Sequence, residues 1–241
     1  MYVGGREGDL IRRSAILKPP TSPLILDDAG TVAHVWFRGA SLIDTRGNAW
    51  TTNGSVAITP RSGKTPAGAG PFSDANYYSL GTGNDVLDFA GDFRVAFVFS
   101  SLAGVRVFFA NANQTGFAAG YAVYTNGTPA AGVLNTYNAG TQGAATTVNT
   151  VAAGVLSVIC AWRSGATIGV KMNLGAAATS TPAGVITAAT ANSAKLGRNE
   201  TVGNAYAGTL YEAAWSSLAG SDAWAIDVMN RVKAKAGVTA W

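Results

Sequence analysis

The chain offers few side chains for chemistry. Glutamate stands only at Glu7, Glu200 and Glu212, and no two are spaced to share a strand. Glycoside hydrolysis needs two carboxylates roughly 5 to 9.5 Å apart across the sugar bond, so the sequence argues against a hydrolase. His34 is the only histidine. A histidine-based triad would have to use it as its base, whereas a lone strand histidine is more often a satisfied core or edge residue; no role is assigned to it. Sugar binding asks for aromatic platforms beside amide and hydroxyl donors. Tyr121, Tyr124 and Tyr137, near Asn126 and Asn138, are the candidates for glycan binding, although strand tyrosines also serve as packing residues with a wet hydroxyl end. The densest basic group, Arg6, Arg12, Arg13 and Lys18, is interrupted by Glu7 and Asp9. Phosphate contacts from so sparse a set would be weak and salt-sensitive, so these residues are assigned to assembly contacts and no nucleic-acid partner is expected.

The elements that must position these side chains follow from composition and patterning. The 241 residues are 48% hydrophobic and only 12% charged, with a net charge of +4 and 30 glycines. That length suits one all-β domain, and the glycines with abundant Ala, Thr, Ser and Asn imply many turns between short strands. The single cysteine, Cys160, lies in the apolar run VLSVICAW, where a thiol packs as a small hydrophobe; an internal disulfide is excluded. The longest apolar runs are too short to cross a bilayer, so no membrane insertion is expected. MYVGGREGDLIRRS carries charges where a secretion signal would need an apolar core.

Residues 1–26 read as an extended N-terminal arm, charged and ending in LKPPTSP, whose prolines favour an open conformation. A domain over 27–241 follows. In VAHVWFRG apolar residues fall on both sides of a strand. FRVAFVFS places Phe93, Val95, Phe97 and Phe99 on one face, and VRVFFANA reads as its partner strand. GYAVYTNGTPAAGVLNTYN predicts a hairpin at Asn126-Gly127. AGTQGAATTVNTVAAG offers no register and reads as strand edges and loop. VLSVICAWRSGATIGVKMNLGA predicts a hairpin turning at Arg163 to Ala166. It has an apolar side of Leu156, Val158, Cys160, Trp162, Ile168, Val170, Met172 and Leu174, with Gly169, Lys171 and Asn173 on a wetter side. The last element is a helix capped by Ser221, with Asp222 at its positive end, Ala225, Val228, Met229 and Val232 on its buried face, and a stop near Gly237.

Four stretches in order resemble the laminin G-like domains of the concanavalin A-like lectin and glucanase superfamily. They are HVWFRGASLIDTRGNAW, GPFSDANYYSLGTGNDVLDFAGDFRVAFVF, VLSVICAWRSGATIGVKMNLGA and KLGRNETVGNAYAGTLYEAAWSSLAGSDAWAIDVMN. The resemblance covers most of residues 27 to 237 and implies an all-β, two-sheet antiparallel jelly-roll sandwich (concanavalin A-like) with one short C-terminal helix. The glucanases of that superfamily carry a Glu-x-Asp-x-x-Glu strand that this chain lacks. Many of its members hold Ca²⁺ at the sandwich rim, an ion that takes six to eight oxygen ligands. By position, Asn84, Asp85 and Asp88, with Asp74 nearby in sequence, form the candidate metal site; the same residues are what a tight turn requires. No other cofactor is expected.

The expected function is non-enzymatic. A lectin-like fold without a secretion signal, with few charges and an arm before the domain, fits a structural or surface protein of a bacteriophage virion. It would assemble in the host cytoplasm, be anchored to other virion proteins through the arm, and form a homo-oligomer. The alternative is a glycan-binding adhesion module recognising a cell-surface glycan, and the two readings are compatible. Hydrolase ranks third.

Overall fold

The computed structural model describes residues 23–25, 27–38, 41–60, 62, 65–81, 85–100, 106–113, 119–127, 130–184, 186, 193–199 and 204–238. In chain order the strands are β1 (Thr31–Arg38), β2 (Ser41–Asp44), β3 (Thr51–Asn53), β4 (Ile58–Thr59), β5 (Gly68–Ala69), β6 (Tyr77–Ser79), β7 (Phe93–Ser100) and β8 (Arg106–Asn113). They continue as β9 (Ala119–Asn126), β10 (Ala130–Asn138), β11 (Thr141–Val151), β12 (Leu156–Ser164), β13 (Thr167–Met172), β14 (Ala178–Ser180), β15 (Lys195–Leu196) and β16 (Thr209–Ser216). One helix, α1 (Asp222–Ala236), follows β16. The first sheet runs β14-β13-β12-β7-β16-β1-β2, with β5 also on β16 and β4 on β5; the second runs β11-β10-β9-β8-β15-β6-β3. Pairing between the strands is antiparallel. The fold is an all-β jelly-roll sandwich with one short C-terminal helix.

Alternation along the strands explains the core. Phe93, Val95, Phe97 and Phe99 all point between the sheets and are fully buried. There the Phe97 ring meets Phe108 at 5.7 Å and Trp215 edge-on at 5.4 Å, while Phe109 lies 5.1 Å from Trp215. Ala96 and Val98, on the opposite face of β7, join Val158, Cys160 and Trp162 in a second apolar layer under α1. β7 is therefore apolar on both faces because each face is covered, once by the other sheet and once by the helix.

The helix matches its sequence signals. The Ser221 hydroxyl accepts the Trp224 amide, Asp222 sits in the first turn, and Gly237 takes the left-handed conformation (φ 66°) that ends it. Ala225, Val228, Met229 and Val232 are buried.

Three expectations change. VRVFFANA does not pair with β7: β8 lies in the opposite sheet between β9 and β15, and β7 runs between β12 and β16. Period-2 patterning reports which face is buried, not which strand is adjacent. AGTQGAATTVNTVAAG, expected to be edges and loop, contains the 11-residue strand β11, paired with β10 and shifted in register between Ala131 and Val133. The β12–β13 hairpin forms as expected, but its faces are assigned differently. Trp162 stands opposite Gly169 and Cys160 opposite Lys171, so Val158, Cys160 and Trp162 face α1 while Val170 and Met172 face the other sheet. The side expected to be wet is roofed by the helix, and Lys171, 4% exposed, reaches Asp222 at 2.8 Å.

Most of the arm expected at 1–26, with Arg6, Arg12, Arg13 and Lys18, lies outside the described residues. Its end belongs to the domain. Leu24 and Ile25 are buried in the layer beneath α1, so a boundary between residues 26 and 27 cuts through packed structure.

Candidate functional site

The two sheets end side by side at β2 and β3, and the chain between them builds a cleft. Ser41, Leu42, Asp44, Asn48, Ala49, Trp50, Thr52 and Tyr78 line about 380 Å³ there. Asp44 organises the turn. Its Oδ1 accepts the Arg46 amide at 2.8 Å, and its Oδ2 accepts Asn48 Nδ2 at 3.0 Å and Trp50 Nε1 at 2.8 Å. Asn48 Nδ2 also donates to the Val32 carbonyl at 2.9 Å, so both amide hydrogens point inward. The Trp50 indole leans on the buried Trp215 with ring centroids 5.8 Å apart, which fixes its plane while leaving it half-buried. Tyr78 forms the back wall, and burial raises its pKa. A mostly polar cleft, with the Ser41 and Thr52 hydroxyls on its rim and the partly exposed Trp50 indole in its wall, suits a small polyhydroxylated ligand. Arg46-Gly47-Asn48 is a turn signal in the sequence; that this turn bridges two sheet edges, and so opens a cleft, appears only in the fold.

The tyrosine trio separates. Tyr121 and Tyr124 are three residues apart on β9 and so face opposite ways. Tyr121 is 1% exposed and packs in the core against Phe93 (4.7 Å) and Phe109 (5.4 Å); burial drives its phenol pKa well upward. It is removed from any surface platform. Tyr124 and Tyr137 do meet on the outer face of the second sheet, where Asn135 Nδ2 donates to their hydroxyls at 2.7 and 3.4 Å. Tyr137 is itself only 3% exposed among Val107, Ala110, Ala112 and Ala122, so its ring is packing and is not presented as a platform.

Of the proposed calcium ligands, Asn84 lies outside the described residues. Asp85 begins a single 3₁₀ turn, Asp85–Leu87. Asp88 accepts a hydrogen bond from Asn111 Nδ2, which also donates to the Leu87 carbonyl at 3.1 Å. Among the described residues no three His, Cys, Asp or Glu side chains gather to hold a metal ion.

A third polar cluster unites residues that the sequence shows as isolated. His34 and Glu212 lie diagonally on β1 and β16, whose register pairs His34 with Ala214 and Trp36 with Glu212. His34 Nε2 meets Glu212 Oε1 at 2.8 Å, and Nδ1 bonds Asp27. Glu212 also accepts the Leu24 amide at 2.7 Å and the Ile25 amide at 2.6 Å. From α1, Arg231 Nε donates to the Leu24 carbonyl at 3.1 Å and Lys235 Nζ to the Pro23 carbonyl at 2.5 Å. Burial opposes charge on His34, but the hydrogen bonds and attraction of Glu212 and then Asp27 outweigh it and raise its pKa above 6.5. An enclosed imidazole with both nitrogens bound to carboxylates has no lone pair to serve as a base. The cluster is a clasp on residues 23–25.

No protein-family model matches the chain, and no curated protein sequence matches it. Solved structures do. Domain 4 of AbnA, a GH43 extracellular arabinanase from Geobacillus stearothermophilus, in complex with arabinotriose, superposes with TM-score 0.63 at 16% identity over 84% of this chain and 100% of that one. The binding domain of botulinum neurotoxin serotype D/C superposes with TM-score 0.62 at 9% identity over 84% of this chain. A botulinum neurotoxin DC binding domain in complex with SialylT gives 0.62 at 10% identity over 85% of this chain. This chain spans 52% of each of these two neurotoxin domains, about half their length. At such identities the likeness shows the β-sandwich fold.

Proposed function

We propose that this chain is a non-catalytic carbohydrate-binding module of the β-sandwich type, and that its sugar site is the Trp50 cleft. The observation that carries the reading is the fixed indole at the joint edge of the two sheets. Trp50 is immobilised by Trp215 and Asp44 and flanked by exposed hydroxyls, so a sugar ring stacking there meets a platform already ordered. The neighbours add support: one was solved with arabinotriose and another with SialylT. Kinship with laminin G-like domains inside this fold, and a calcium ion near Asp85 and Asp88, belong to the proposal.

Affinity electrophoresis and calorimetry against a polysaccharide panel, each with and without calcium, test it. Binding that Trp50→Ala weakens at least about tenfold is the expected result. A blank panel in both conditions ends the reading.

A second reading concerns where the module works. Glu212, Arg231 and Lys235 grip the main chain of residues 23–25, so any partner bound to the preceding residues would be tethered firmly to the sandwich. This favours an anchored surface module, with the bacteriophage virion as the proposed setting and a homo-oligomer as the proposed state. Mass spectrometry of purified particles that lacked this chain would remove that setting.

A further inference from the structure

The cleft's charge is biased in one direction. Among the described residues its lining carries a single charged group, the Asp44 carboxylate, and no lysine, arginine or histidine. Arg46, next in the turn, sends its guanidinium elsewhere: Nη2 donates to the Asp28 carbonyl at 3.2 Å and lies 3.5 Å from Asp27 Oδ2. Asp44 is occupied by donors from the turn itself, and Asn48 spends both amide hydrogens on Val32 and Asp44, which leaves its carbonyl oxygen as the group it can offer a ligand. The remaining polar side-chain groups are uncharged hydroxyls: those of Ser41 and Thr52, both on exposed residues, and the phenol of Tyr78 on the buried wall. These hydroxyls donate and accept alike, so the one-sided feature of the surface is its charge, which is negative. A neutral sugar answers it with hydroxyl donors. A uronic or sialic acid brings a carboxylate for which there is no cation, and which Asp44 repels across a short distance partly shielded from water.

We infer that the Trp50 cleft selects neutral saccharides and rejects acidic ones. The inference rests on the carbohydrate-binding reading above and sharpens it. It separates this site from recognition of glycans through their sialic acid, whose carboxylate a cationic lining would serve.

The test uses the full chain on an array of matched pairs. Uronic-acid polysaccharides are printed beside their carboxyl-reduced forms, and sialylated glycans beside their desialylated parents. The expected result is binding to neutral members, with acidic counterparts at least about tenfold weaker, and loss of binding in Trp50→Ala. Because Trp50 also packs on Trp215, a second variant keeps the test independent of folding. Thr52→Lys, on the exposed edge strand β3, adds the missing cation and should bring acidic members to within about twofold of their neutral partners. Acidic glycans binding as tightly as neutral ones in the unaltered chain, with that binding lost in Trp50→Ala, would overturn the neutral-sugar inference and leave the carbohydrate-binding reading intact. Binding that both variants leave unchanged would overturn the assignment to this cleft. No binding to any member would remove the carbohydrate-binding reading itself, and this inference with it.

Discussion

Glu212 is 2% exposed and accepts three hydrogen bonds, from the Leu24 and Ile25 amides and from His34. Its burial is tolerable because each donor lies within 2.8 Å and the imidazole supplies countercharge. Removing the carboxylate would leave two buried amides unpaired and the buried imidazole with Asp27 alone of its two carboxylates. Glu212→Ala should therefore cost about 3 to 5 kcal/mol, read from urea unfolding at pH 6; a loss under 1 kcal/mol would mean that water replaces the carboxylate, and the clasp would not be a structural unit. None of this could be found by spacing, because Asp27, His34 and Glu212 are brought together by register across β1 and β16. Part of the tyrosine question was legible, however. Tyr121 and Tyr124 differ by an odd number of positions on one strand, so the alternation that identified the core strands also separates them.

At the scale of elements, local signals carried far. The cap at Ser221, the stop at Gly237 and the turns at Asn126-Gly127 and Gly165 were readable because each depends on backbone geometry within a few residues. Sheet partnership was not, since β7 and β8 share a pattern and sit in different sheets. Gly169 shows what the face assignment of the β12–β13 hairpin missed. A Cβ there would lie 2.3 Å from the Trp162 ring, so the glycine exists to let the indole lie flat between sheet and helix. Gly169→Ala should destabilise by about 1 to 3 kcal/mol through overpacking, measurable by thermal unfolding, with recovery when Trp162 is also reduced to Leu.

The clasp joins four elements, namely residues 23–25 with Asp27, β1, β16 and α1, and it makes a pH prediction. His34 has a native pKa raised above 6.5, so its contribution is full below about 6.5 and is lost as pH rises through the native value. Asp28 supplies the opposite limb. Burial raises its pKa, but hydrogen bonds from Arg94 and Ser216 prevail and lower it below 3.8, so its contribution is lost only as pH falls through that lowered value. Unfolding free energy should decline from pH 6 toward pH 9. In His34→Gln that alkaline decline should flatten, and an unchanged decline would assign it to another group.

For the whole molecule, the question is where the domain begins. The sequence places the boundary after residue 26 because prolines and charges give way to alternation there. Packed structure reaches further back: Leu24 and Ile25 complete the apolar layer between the first sheet and α1, and their main chain is held by Glu212, Arg231 and Lys235. The clasp also reaches the Trp50 cleft through a single turn. The backbone amide of His34 faces Asp44 Oδ1 at 3.5 Å, and Arg46 connects that turn to Asp27 and Asp28. Comparing two truncations isolates the contribution of residues 23–25. A chain starting at Pro23 keeps the clasp, whereas one starting at Leu26 loses two buried apolar side chains worth about 1.5 to 3 kcal/mol each and leaves the Glu212 carboxylate without its amide donors. The shorter chain should be less stable than the longer one by about 3 kcal/mol or more, and its indole emission should shift as the layer around Trp162 and Trp224 opens. Equal stability of the two truncations would return the boundary to residue 27, and would make the grip on residues 23–25 too weak to anchor the module to any partner.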